Sequence, residues 1–319
     1  MPKKAIVTHL RRHEKYERLV AATRDLRPLA TAVAHPCDES SLRGALEAAE
    51  EGIITPVLVG PKAMICDLAK SLDLNIEGID IVDAPPNESA AKAVELVRSG
   101  KAELLMKGSL HSDELLGAVT KRDTGLRTAR RISHVFLMDV PNHPQTLFIT
   151  DAAVNIAPDL LAKRDIVQNA IDFYVGVGLG TPKVAILSAV ETVNPDIPST
   201  IDAAALCKMA ERGQITGGEL DGPLAFDNAI NPEAARIKGI KSPVAGQAHI
   251  LVVPNLEAGN MLAKNLSFLS GADAAGIVLG ARVPIILTSR ADNVRTRMAS
   301  CAVAMLFAYS QMAKEPIRA

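Results

Sequence analysis

Two strand-to-helix junctions in this chain gather the side chains able to hold an anion or polarise a carbonyl. The first is Leu287-Thr288-Ser289-Arg290-Ala291-Asp292-Asn293, where an apolar strand-like run gives way to a helical period. Ligands of open α/β sheets bind at the carboxyl ends of strands. A serine at a helix start offers its hydroxyl and the nearby backbone N–H groups to an anion. The adjacent arginine adds a planar fork of donors that matches phosphate. The plainer alternative is Ser289 as an N-cap with Arg290 in solvent. The second junction is Val253-Pro254-Asn255-Leu256-Glu257-Ala258-Gly259-Asn260, with two asparagines, a glutamate and a glycine where a turn needs fewer. Its plainer alternative is Asn255 as a cap and Glu257 in the first helical turn.

Other chemistries lack their residues. Gly176-Val177-Gly178-Leu179-Gly180 precedes a strand and misses the dinucleotide spacing by one residue, so it reads as a helix C-cap and loop. There is no G-x-x-x-x-G-K-[ST] and no G-x-S-x-G elbow. His9 and His13 have helical i, i+4 spacing but no nearby third ligand, which favours surface residues over a metal site. The four cysteines, Cys37, Cys66, Cys207 and Cys301, lie far apart and read as reduced thiols. Direct attack, without an acyl-enzyme, is the simpler expectation for any acyl transfer.

The elements that must hold these junctions alternate almost from end to end. Strand-like runs fall at Thr55–Val59, Ile79–Val82, Leu104–Met106, Val135–Val140, Thr146–Ile149, Val184–Ala189, Ile250–Val253 and Ile285–Thr288. Amphipathic stretches fall at Glu17–Ala32, Glu88–Arg98, Asp159–Phe173, Ile201–Arg212, Glu257–Leu269 and Ala291–Ala313. This rhythm predicts a mostly parallel sheet covered by helices. Asn87 is expected to cap the helix that starts near Glu88. Pro141-Asn142-His143-Pro144 suits a hairpin, an antiparallel excursion into a second domain. Residues 213 to 232, rich in Gly and Pro, read as a long functional loop.

Apolar residues make up 48% of 319, enough for a sizeable core, and no run is long enough to span a bilayer. With 35 basic against 36 acidic residues, nothing calls for nucleic acid or membrane. The start of the chain has no apolar signal region, so the cytosol is the expected compartment.

Taken together, the blocks Asp221-Gly222-Pro223-Leu224-Ala225-Phe226-Asp227, Ser242-Pro243-Val244-Ala245-Gly246, Pro254–Asn260 and Ser289-Arg290 resemble the phosphate acetyl/butyryltransferase family. Met106-Lys107-Gly108 with His111, and Gly125-Leu126-Arg127 followed by Ser133-His134-Val135, extend the match. The resemblance implies two α/β domains of the isocitrate/isopropylmalate dehydrogenase-like fold with a cleft between them. The expected division is 1–130, an inserted 131–277, and a return over 278–319, with both junctions lining the cleft. It further implies acyl-CoA plus phosphate giving acyl phosphate plus CoA, a homodimer, and no metal or organic cofactor. Its catalytic pair falls on Ser289 and Arg290, and the implied substrate-binding set is Gly108, His111, Arg127, Asn255, Glu257, Gly259 and Asn260.

The acetyl branch carries a catalytic carboxylate where this chain has Thr296, and Asp292 is the nearest substitute. It also carries an arginine where this chain has Ala118. Several blocks look closer to the butyryl branch, so butyryl chains are expected to be accepted at least as well as acetyl. The two alternatives are a CoA-binding regulatory domain without strong catalysis and a metal-dependent dehydrogenase of the same fold.

Overall fold

A computed structural model describes residues 14–141, 143–288 and 294–313. The first part of the chain alternates α1 (Glu14–Ala21), β1 (Leu29–Ala34), α2 (Glu39–Glu50), β2 (Ile54–Gly60), α3 (Lys62–Ser71), β3 (Asp80–Asp83), α4 (Ser89–Arg98), β4 (Leu104–Lys107) and α5 (Ser112–Thr120). The antiparallel pair β5 (Ser133–Asp139) and β6 (Leu147–Thr150) follows, as the Pro141–Pro144 turn predicts. Then come α6 (Leu160–Gly176), β7 (Lys183–Leu187), α7 (Pro198–Glu211), β8 (Glu219–Leu224), α8 (Phe226–Ile230), α9 (Pro232–Ile237), β9 (Ile250–Val252) and α10 (Leu256–Phe268). The chain closes with β10 (Asp273–Leu279), β11 (Ile285–Ile286) and α11 (Val294–Met312).

Several expectations are corrected. The helical reading of Glu17–Ala32 overruns β1: α1 ends at Ala21, and the alanine-rich run after Pro28 is drawn into the sheet between β2 and β4. Asn87 lies inside a 3₁₀ turn, Pro86–Glu88, and α4 starts without a side-chain cap. The 213–232 stretch is structured, holding β8 and α8. The Gly176–Gly180 cluster does end a helix, with Gly178 and Gly180 in the left-handed region.

All these strands join one sheet in the order β3-β2-β1-β4-β11-β10-β5-β6-β9-β7-β8. The blocks β3-β2-β1-β4-β11 and β6-β9-β7-β8 are each parallel, and antiparallel pairings through β10 and β5 connect them. Alternate residues of a strand point to opposite faces. On one face a single core runs under α2, α3, α6, α7 and α11, fed by Leu104, Val135, Leu137, Ile277 and Ile286. On the other face the apolar packing divides: Leu105, Val278 and Ile285 lie under α4 and α5, while Met138, Leu147 and Leu251 lie under α8 to α10. Between these two packed regions lie the central strands β10 and β5.

Candidate functional site

The end of β4 lies against the end of β1. Gly108 donates its N–H to the Ala34 carbonyl at 2.8 Å, and a Cβ there would stand 2.4 Å from that oxygen and from the His35 oxygen. Only glycine permits this approach. Immediately before it, Lys107 is 6% exposed, and its ammonium donates to the carbonyls of Gly108 and Thr288, each at 3.3 Å. Thr288 is itself buried and directly precedes Ser289. Ser289, Arg290 and Asp292 lie outside the described residues. Thr296 is buried in the first turn of α11, and its carbonyl accepts the Ser300 hydroxyl at 2.8 Å.

Three strands from β4, on β5, His134 is 1% exposed and its Nδ1 has no hydrogen-bond partner. A Cβ on Gly276 would meet His134 Nε2 at 2.9 Å and the Leu287 carbonyl oxygen at 3.2 Å, so the glycine makes room for both. Burial pushes the His134 pKa down to about 4 against the opposing pull of Asp151, which keeps the imidazole neutral at physiological pH. Asp151 follows β6, and its carboxylate accepts the N–H groups of Ala153, Val154 and Asn155 and the Asn155 side-chain amide.

The Pro254–Asn260 block reaches this loop. Asn255 caps α10, its side chain accepting from the Ala258 N–H at 2.9 Å. Gly259 lets the helix close on the chain after β6: a Cβ there would lie 2.7 Å from Val253 Cγ2 and 3.0 Å from Ala152. Asn260 ties the same contact with a 3.3 Å hydrogen bond to the Ala152 carbonyl. Glu257 is exposed in the first turn. The block thus fastens α10 to Ala152, the residue after Asp151.

His111 starts α5, and its N–H donates to the Glu114 carboxylate at 3.2 Å. Arg127 is exposed and pairs through its backbone with Ala281. The neighbouring arginines are engaged, Arg130 with Asp172 at 2.6 Å and Arg131 with Asn155 at 2.7 Å. Arg295 pairs with Asp273 at 3.6 Å, and Arg297 is buried against Gly44. Burial pushes the Cys37 thiol up to about 11 and those of Cys207 and Cys301 to about 12, so none of these is a thiolate near neutral pH. Among the described residues no group of His, Cys, Asp and Glu side chains is arranged to hold a metal.

Lys107, His134 and Asp151 were not singled out as site residues from sequence. A lysine closing the apolar run Leu104-Leu105-Met106 and preceding a glycine is the one signal that could have marked the first of them. The other two depend on which strands become neighbours.

An open, mostly parallel α/β sheet with polar side chains at its strand ends is a frame on which many enzymes carry their sites. The same architecture occurs in a Salmonella typhimurium protein described as a 4-hydroxythreonine-4-phosphate dehydrogenase (TM-score 0.56, 13% identity, 88% of this chain and 99% of that one), a likeness of fold alone. The chain belongs to the phosphate acetyl/butaryl transferase family, whose model matches residues 85–305. It is 70% identical over 302 residues to a phosphate acetyltransferase of Rhizobium meliloti, covering 94% of this chain and 96% of the relative. It is 42% identical to a phosphate butyryltransferase of Clostridium acetobutylicum, covering 90% and 95%. The crystal structure of a branched-chain phosphotransacylase from Enterococcus faecalis superposes with a TM-score of 0.76 at 30% identity, covering 88% of this chain and 99% of that one. No helix among the described residues is long and apolar enough to cross a membrane.

Proposed function

We propose that this acyltransferase moves an acetyl group between coenzyme A and inorganic phosphate. A phosphate oxygen attacks the thioester carbonyl carbon, the C–S bond breaks, and CoA leaves as a thiolate that takes up a proton. The observation that carries this reading is the 70% identity to a phosphate acetyltransferase over nearly the whole chain. The 42% match to a butyryltransferase ranks acetyl ahead of butyryl, the reverse of the order suggested by the individual sequence blocks.

Phosphate is a weak nucleophile toward a thioester unless it is held close and in line. Arg290 is the clamp, binding phosphate with two parallel N–H donors and offsetting the developing charge. Ser289 donates to the thioester carbonyl or the leaving sulfur, and Asp292 serves as the base for the CoA thiol in the reverse direction. Gly108, His111, Arg127, Asn255, Glu257, Gly259 and Asn260 form the surrounding substrate-binding set. Arg127, exposed beside the engaged Arg130 and Arg131, is suited to the CoA phosphates.

No metal or organic cofactor takes part in this reading, and CoA is substrate or product. The working form is a cytoplasmic homodimer. Residues 131–277 form an inserted second domain, a division supported by the antiparallel seam of β5 and β10 between two parallel blocks. Phosphate-dependent release of free thiol from acetyl-CoA and butyryl-CoA tests the function. No release from either would end the proposal.

A further inference from the structure

His35 follows β1 at its carboxyl end and holds a left-handed backbone, φ 58°. Three donors converge on its carbonyl: the Ser109 N–H and the Ser109 hydroxyl, each at 2.8 Å, and the Cys37 N–H at 2.9 Å. Gly108 packs against the same peptide, where a Cβ would stand 2.4 Å from the His35 oxygen and 2.6 Å from its carbonyl carbon. In the sheet β4 lies between β1 and β11, and β11 leads on to Ser289 and Arg290. The turn after β4 is therefore seated on the His35 peptide.

The half-buried imidazole reaches a different element. Its Nδ1 lies 3.3 Å from the hydroxyl of Ser89, the first residue of α4. Ser89 is buried and donates its one hydroxyl hydrogen to the Pro85 carbonyl at 3.1 Å, so toward His35 it accepts. That network assigns the ring proton to Nδ1 and makes His35 the donor. Cys37 Sγ, 3.7 Å from the same nitrogen, is a weak acceptor beside it. A left-handed position suits glycine best. A side chain that holds one nonetheless marks a place where the surrounding structure fixes a strained path, as functional sites do.

We infer that His35 is a positioning residue for the proposed phosphate transfer: its ring, tied to Ser89, fixes the left-handed peptide on which Gly108 of the substrate-binding set is seated. The inference rests on the proposed reaction and adds to it a residue outside every family block. It makes two separable demands on position 35, a left-handed backbone and a donor toward Ser89. Asparagine meets both, since it tolerates that conformation and carries an N–H group in the place of Nδ1. Glycine meets only the first, and alanine neither.

The purified full chain is compared with His35→Asn, His35→Gly and His35→Ala by urea unfolding and by thiol release from acetyl-CoA with phosphate varied. His35→Gly should unfold near the wild-type midpoint, because relief of the left-handed cost offsets the looser unfolded chain. It should nevertheless lose about five- to tenfold in kcat/KM for phosphate, the worth of roughly one hydrogen bond. His35→Asn should stay within about threefold of wild type, and His35→Ala should lose both stability and rate. A merely structural role predicts rates that follow the urea midpoint, so wild-type kcat/KM in His35→Gly overturns the inference. Loss of as much rate in His35→Asn as in His35→Gly overturns it too. If the position-35 variants do not fold, Ser89→Ala decides: it removes the anchor of the ring and should lower kcat/KM by the same factor, and unchanged kcat/KM there counts against the inference. Wild-type protein with no phosphate-dependent thiol release would instead refute the proposed reaction, a distinguishable failure.

Discussion

Gly108 stands so close to Ala34 that its N–H donates to the Ala34 carbonyl at 2.8 Å while a Cβ would sit 2.4 Å from the same oxygen. The opposing atoms are backbone and cannot swing aside. Gly108→Ala should therefore cost about 1–3 kcal/mol, the usual range for overpacking. Because Gly108 belongs to the proposed substrate-binding set, turnover should fall too. Urea unfolding and thiol-release assays check both, and a variant as stable and active as wild type would show the approach to be unimportant.

Arg290→Ala should lower phosphate-dependent turnover by about 10² or more, since a charge-assisted hydrogen bond is worth roughly 1.5–3 kcal/mol and the fork makes two. Arg290→Lys keeps the charge without the fork and should recover only part of the loss. Measured kcat/KM for phosphate within a few-fold of wild type in the alanine variant would return Arg290 to the role of a solvent-facing residue.

Asn255 has two candidate roles that one pair of variants separates. As the cap of α10 it is replaceable by Asp, while Ala should cost about 0.5–2 kcal/mol. If Asn255 also touches substrate, Asn255→Asp should keep its stability and lose activity, because the amide donor is gone and a negative charge faces an anionic ligand. Thermal unfolding and kcat/KM measured on both variants decide between the two.

Acid should destabilise the fold through His134. Its ordinary pKa of 6.5 applies to the unfolded chain, whereas burial takes the folded value to about 4. Between these values the unfolded chain binds the extra proton, so stability falls as pH drops from about 6.5 toward 4, by at most ~1.4 kcal/mol per pH unit. Burial shifts His35 and His249 in the same direction, so the quantity to measure is the difference between wild type and His134→Phe. Urea midpoints at pH 7 and pH 5 that shift equally in both proteins would assign the acid sensitivity elsewhere.

Much of this protein can be read along the chain, for a local reason. Strand–helix alternation, the hairpin at Pro141 and the C-cap glycines after α6 depend on residues within a turn or two of each other. The family blocks are likewise contiguous, so the sequence alone determined the α/β class, the family and the Ser289-Arg290 candidate. Other features needed the sheet. The alanine-rich run of β1 has helix-forming composition and becomes a strand only because β2 and β4 pair with it on either side. The Pro254–Asn260 block displays polar residues, but its cap, its packing glycine and its tie to Ala152 emerge only when α10 meets the end of β6. Lys107 and His134 lie 27 positions apart in sequence, and nothing local makes the first a partner of Thr288 or the second a neighbour of Gly276. Their common face is fixed by the register of β4, β11, β10 and β5, where a slip of one residue would turn each side chain to the opposite side. Pairing between distant strands decided that, and no window along the sequence contains it.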